Sequence, residues 1–156
     1  MDPSGGPPGL PSDRFGQRDV VLSMNHDRAV EHVRDAVVQQ GFDVPVQFSP
    51  SVRINAQHVE TVPPYTVLGL GLPAAAAHAL DAGGRRIGAL FPCRIVVWED
   101  EPGLQHVYHL NMMLLAREVD LAPDTEAWRA LVDGISDMID DAFSSLGDGG
   151  ESLRNE

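Results

Sequence analysis

One thiol and six imidazoles are the groups in this chain best suited to covalent or acid–base chemistry. The thiol, Cys93, follows Phe91-Pro92 and opens a run that continues Arg94-Ile95-Val96-Val97-Trp98. If Trp98 pairs with Leu104 across the acidic turn Glu99 to Gly103, then Val97 faces Gln105, Ile95 faces Val107 and Cys93 faces His109. A thiol beside an imidazole can ionise more readily and act as a nucleophile or redox sensor. The competing reading places Cys93 in the core as a small hydrophobe beside Ile95 and Val97, which is the commoner fate of a cysteine. A one-residue slip would also carry His109 to the other face.

The same register collects Arg94, Val96, Trp98, Leu104, His106, Tyr108 and Leu110 on the opposite face. Aromatic rings with an arginine and a histidine suit a small planar or anionic ligand. They equally suit a homodimer interface, where aromatics and arginine are enriched. The dimer is the preferred reading, because a bare apolar sheet face needs a cover.

Metal chemistry finds little support. His106 and His109 are three apart, so on a strand they point to opposite faces and cannot share an ion. His26, His32, His58 and His78 lie on separate segments, and one cysteine makes no zinc cluster. Asp133, Asp137, Asp140 and Asp141 read as a solvated helix face rather than a cation site. Gly69-Leu70-Gly71 and Gly83-Gly84 lack the spacing of a phosphate loop. No metal and no cofactor is expected.

Composition narrows the classes further. All 11 basic residues are arginine against 23 acidic ones, for a net charge of −12. The absence of lysine excludes a Schiff-base lysine and a Walker A loop. The acidic balance argues against nucleic acid and anionic membranes as partners. There is no bilayer-spanning apolar run, and the Pro/Gly-rich start does not resemble a signal peptide. With a single cysteine, the natural expectation is a cytosolic protein.

The elements that must position these groups follow from periodicity. Residues 1–17 and 147–156 are read as disordered tails and residues 18–146 as one domain. A strand around Val20–Leu22 leads, through Asn25 as N-cap, into a helix with Ala29, Val30, Val33, Ala36 and Val37 on one face and Gly41 at its end. Phe42, Val44, Val46 and Phe48 alternate as a strand, and Pro45 marks it as an edge. Val52 to Asn55 reads as a short extended piece. Tyr65 to Leu70 is a strand, Ala74 to Leu80 a short helix behind Pro73, and Ile87 to Trp98 a strand interrupted at Pro92. Leu104 to Leu110 returns as the next strand. Asp124 is the expected N-cap of a long helix whose apolar stripe is Trp128, Leu131, Val132, Ile135, Met138, Ile139, Ala142 and Leu146. The pattern predicts an α+β two-layer domain: a mainly antiparallel sheet of about five strands with helices packed on one face.

Pro64-Tyr65-Thr66-Val67-Leu68-Gly69 through Pro73, followed by Ile87-Gly88-Ala89-Leu90-Phe91-Pro92-Cys93-Arg94-Ile95-Val96-Val97, resembles the bacterial domain-of-unknown-function 302 family. The upstream Gly41-Phe42 fits as well, and the resemblance spans roughly residues 18 to 115. It implies a TATA-binding-protein-like β-α-β4-α arrangement and a homodimer, with no established activity to transfer. This chain departs from the family's Ala-Cys-Asn before the proline, where it has Leu70-Gly71-Leu72. It also has Asn55 and Gln57 at frequent lysine positions, and Asn111-Met112 in place of Asp-Pro. Pro92-Cys93 remains as the candidate shared site. The resulting expectation is a homodimeric domain that binds a small ligand or a partner without catalysis. The alternative is a thiol-dependent enzyme or sensor using Cys93, with His109 as base.

Overall fold

The computed structural model describes residues 16–57 and 61–152. The expected tail over residues 1–15, His58, and the last four residues lie outside them. Five antiparallel strands form one sheet in the order β1-β5-β4-β3-β2: β1 Arg18–Ser23, β2 Asp43–Phe48, β3 Tyr65–Gly71, β4 Cys93–Glu101 and β5 Leu104–His109. The helices are α1 His26–Gln39, α2 Pro50–Gln57, α3 Pro73–Gly83, α4 Met112–Glu118 and α5 Glu126–Ser152. Leu22, Leu68, Leu70, Ile95, Val97 and Val107 from the sheet join Val33, Val37, Trp128, Ile139 and Leu146 from α1 and α5 in one core. This is the expected two-layer α+β architecture.

The start and stop signals of α1 act as the sequence predicts. The Asn25 side chain accepts the Arg28 N–H at 2.9 Å, satisfying one of the first-turn donors. At the other end Gly41 adopts φ +104°, and the Phe42 N–H returns to the Val37 carbonyl at 3.1 Å. That closure folds Phe42 back into the core, where it is buried.

Three local expectations are corrected, a segment that periodicity left unassigned is helical, and the last helix ends later than expected. Val52 to Asn55 is helical within α2 rather than extended, started by a Val52 N–H to Ser49 carbonyl bond of 3.1 Å. Arg85–Leu90 forms a 3-10 turn, so β4 begins only at Cys93, after a cis Phe91–Pro92 peptide. The segment after β5 is a helix, α4, with Asn111 accepting from the N–H groups of Met113 and Leu114. Thr125, not Asp124, caps α5: its hydroxyl accepts the Trp128 N–H at 3.2 Å, while Asp124 pairs with Arg129 at 2.7 Å. That helix also runs through Ser152, past the boundary expected at Gly147.

The β4–β5 register is shifted by two residues from the expected one. Trp98 faces His106, Val97 faces Val107 and Ile95 faces His109. The cause is the turn: β4 continues to Glu101 opposite Leu104, leaving only Pro102-Gly103 as the loop, with Gly103 at φ +81° and a bulge between Glu99 and Glu101. A two-residue shift preserves side-chain parity, so every residue stays on its expected face.

Candidate functional site

Cys93 lines an apolar cavity of about 130 Å³ at the far end of β3. Its partner across the sheet is Leu70. Ala75, Ala76 and Ala79 of α3 form one wall, and Phe42, Phe91, Met113 and Ile135 close the others. Alanines on the inward side of α3 leave the space that larger side chains would fill. Gly69 is required nearby, because a Cβ there would lie 2.7 Å from Pro92 Cγ and 3.0 Å from Val46 Cβ. The step that leads into Cys93 is thus seated on a bare backbone.

Burial pushes the Cys93 thiol up from its ordinary range, and the neighbouring Arg94 charge only partly opposes this. The thiol therefore sits in the cavity protonated at neutral pH, with the Met113 side chain as a second sulfur in the lining. His109 is not directly opposite it. In the observed register Ile95 takes that place, and Cys93 lies diagonally two positions along β4. The His109 Nδ1–H donates to the Arg94 carbonyl at 2.9 Å, and the ring packs against Phe143.

At 2% exposure His109 is held neutral: burial lowers its pKa, the backbone bond opposes this, Arg18 lowers it further and Asp140 raises it. The sign for stability follows. Between the lowered folded value and the ordinary value near 6.5, the unfolded chain binds the extra proton, so stability falls as pH drops through that window. Replacing His109 with Gln should flatten the decline of Tm between neutral pH and about pH 5, where an unfolded histidine (ordinary pKa ~6.5) is charged. An unchanged slope in thermal melts would refute the assignment.

Arg94, Trp98, His106 and Tyr108 occupy the outer sheet face as expected, their strand parity being opposite to Ile95 and Val97. Tyr65, Trp98 and His106 form a stacked row across three strands, with ring centroids 6.2 and 5.1 Å apart. The Tyr108 hydroxyl donates to Gln17 Oε1 at 2.6 Å, and His106 Nε2 lies 3.2 Å from Asp100. Arg94 is exposed. Val21, Val46 and Phe48 extend this face with exposed apolar surface, Phe48 being 49% exposed.

A polar constellation that the sequence reading did not identify lies at the other end of β3. His26 Nδ1 is 2.8 Å from Gln105 Oε1, and His26 Nε2 is 2.8 Å from Thr66 Oγ1. Thr66 Oγ1 is 2.9 Å from Ser49 Oγ. Gln105 Nε2 donates to Glu99 Oε1 at 3.0 Å and to the Met24 carbonyl at 3.3 Å. Gln105 and Thr66 are 0% and 3% exposed. Their only sequence signal is polarity on the strand face that Leu68 and Val107, two positions further on, give to the core. Among the described residues, no group of three or more His, Cys, Asp or Glu side chains is placed to hold a metal ion, and no helix is long and apolar enough to cross a membrane.

Comparison with solved structures finds a crystal structure of an uncharacterized conserved DUF302 protein from Bacillus stearothermophilus. It is similar with a TM-score of 0.71 and 20% identity over 83% of this chain and 97% of that one. At that identity the likeness concerns the fold. No match was found among curated proteins. The sequence profile described as "Domain of unknown function DUF302" matches residues 18–146, which span all five strands and most of α5. With that match covering most of its length, the chain belongs to the DUF302 family.

Proposed function

We propose that this chain is a cytosolic small-molecule-binding domain whose ligand enters the Cys93 cavity, rather than an enzyme acting through that thiol. The observation that carries this reading is an apolar space of about 130 Å³ lined by aromatic, alanine and sulfur-bearing side chains. Engineered apolar cavities of roughly 150 Å³ take up benzene, so the expected ligand is one aromatic ring or a short branched chain. The protonated thiol and Met113 add polarizable contact with no charge to desolvate.

Indole and toluene titrations should show saturable binding by calorimetry, and saturating ligand should slow iodoacetamide alkylation of Cys93. Ala76→Leu, which fills the wall at a helical position, should abolish binding and keep the fold. Absence of binding, or binding undiminished in Ala76→Leu, removes the proposal. An alkylation rate that is fast at neutral pH favours the thiol-dependent alternative with Cys93 as nucleophile.

A second reading, a homodimer formed through the outer face, is supported by the Tyr65–Trp98–His106 row beside exposed Val21, Val46 and Phe48. Aromatic-rich apolar surface of this kind marks interaction sites. Sedimentation at micromolar concentration should give a dimer that Phe48→Glu converts to monomer. A monomeric wild type ends this reading.

A further inference from the structure

The hydrogen-bond chain at the start of β3 has only one consistent direction when His26 is neutral. Gln105 has two obligate acceptors, the Glu99 carboxylate and the Met24 carbonyl, on its nitrogen side. Its amide orientation is therefore fixed, and Oε1 faces His26 Nδ1 as an acceptor. Nδ1 must carry the proton, which leaves Nε2 as a base. Thr66 then donates its single hydroxyl proton to Nε2, and Ser49 donates to Thr66. The result is a continuous path from Ser49 through Thr66 to a histidine that an amide orients and a carboxylate backs. This is the logic of an activated hydroxyl: nucleophile, base, and a group that fixes the base's tautomer.

Ser49 is half-buried and borders two clefts, one of them about 420 Å³ and lined by Asp27, Val30, Glu31, Arg34, Gln47 and Thr66. Arg34 spends one N–H on Gln47 at 2.8 Å, and its guanidinium carries further donors for charge developing on an oxygen. Asp27 and Glu31 disfavour an anionic substrate. β3 places Thr66 four residues before Leu70, roughly 13 Å at 3.3 Å per residue, so this is not the Cys93 cavity.

We propose that Ser49 is the nucleophile of an acyl-transfer site that takes small neutral or cationic esters, with His26 as general base acting through Thr66. Ser49 Oγ attacks the ester carbonyl while its proton passes to Thr66 and the Thr66 proton passes to His26 Nε2. The tetrahedral adduct collapses with cleavage of the bond to the alkoxy group, which leaves as the alcohol, taking its proton from Thr66 as Thr66 regains one from His26 Nε2. Water then attacks the acyl-Ser49 ester, its proton passing through Thr66 to His26 Nε2, and the second adduct collapses with cleavage of the bond to Ser49 Oγ, which takes that proton back through Thr66 as the acid is released. Gln105 and Glu99 are positioning residues.

The full chain should be treated with a neutral ethoxy fluorophosphonate, and the adduct located by peptide mass spectrometry. Attack there forms an O–P bond and expels fluoride, which tests the nucleophile without turnover. An adduct on Ser49, absent in Ser49→Ala and slowed at least about 100-fold in Thr66→Val, is the expected result. Hydrolysis of 4-nitrophenyl acetate should fall in the same order. Should Thr66→Val fail to fold by circular dichroism, Thr66→Ser must retain labelling and His26→Asn, at a half-exposed position, must lose it. No adduct, an adduct on another residue, or labelling indifferent to the folded relay variants overturns the proposal.

Discussion

Trp128→Ala should destabilise the domain by about 3–5 kcal/mol, the usual cost of removing a large aromatic from a close-packed core. Trp128 is 0% exposed and joins three elements at once. It stands in the first turns of α5, its indole N–H donates to the Met113 carbonyl of α4 at 3.3 Å, and its ring edge lies against the end of α3. A Cβ on Gly83 would come within 2.7 Å of that ring, so the α3 terminus is shaped around it. Set against a total stability of roughly 5–15 kcal/mol, the loss leaves little margin. Trp128→Phe keeps most of the apolar contact and should cost less than half as much. Urea unfolding of both variants checks this, and an alanine variant within about 1 kcal/mol of wild type would show that the site collapses freely.

Gln105→Leu should cost about 2–4 kcal/mol, although leucine is the more hydrophobic residue. The substitution strands the Met24 carbonyl in the interior, takes the acceptor from the part-buried His26 N–H and releases Glu99 from its donor. Each buried group without a partner costs roughly 1–3 kcal/mol. The informative comparison is His26→Leu combined with Gln105→Leu. Removing both partners of the 2.8 Å bond should cost clearly less than the sum of the single changes. Strict additivity in chemical denaturation would refute coupling between them.

What the sequence reveals here is local, and what it conceals is pairwise. Alternation places Cys93, Ile95 and Val97 on one face and Arg94, Val96 and Trp98 on the other, and the structure agrees, because parity is a property of one strand. The Cys93–His109 pairing depends on the turn, and a bulge between Glu99 and Glu101 is invisible to alternation. Gly41 is legible as a helix end because its positive φ is a local demand. α2 and α4 are missed because both are short and each is anchored by a single bond or cap near Ser49 or Asn111. The Ser49–Thr66–His26–Gln105 chain is the least legible feature, since its bonds join residues 17, 40 and 79 positions apart.

Pro45 lies within β2, the six-residue strand at one border of the sheet, and the pairing to β3 slips between Asp43 and Val46 around it. Proline has no N–H to offer, and the slip kinks the strand where a newcomer would need a straight template. Growth by adding one molecule's strand to the next, the route to filaments, is therefore interrupted at this border.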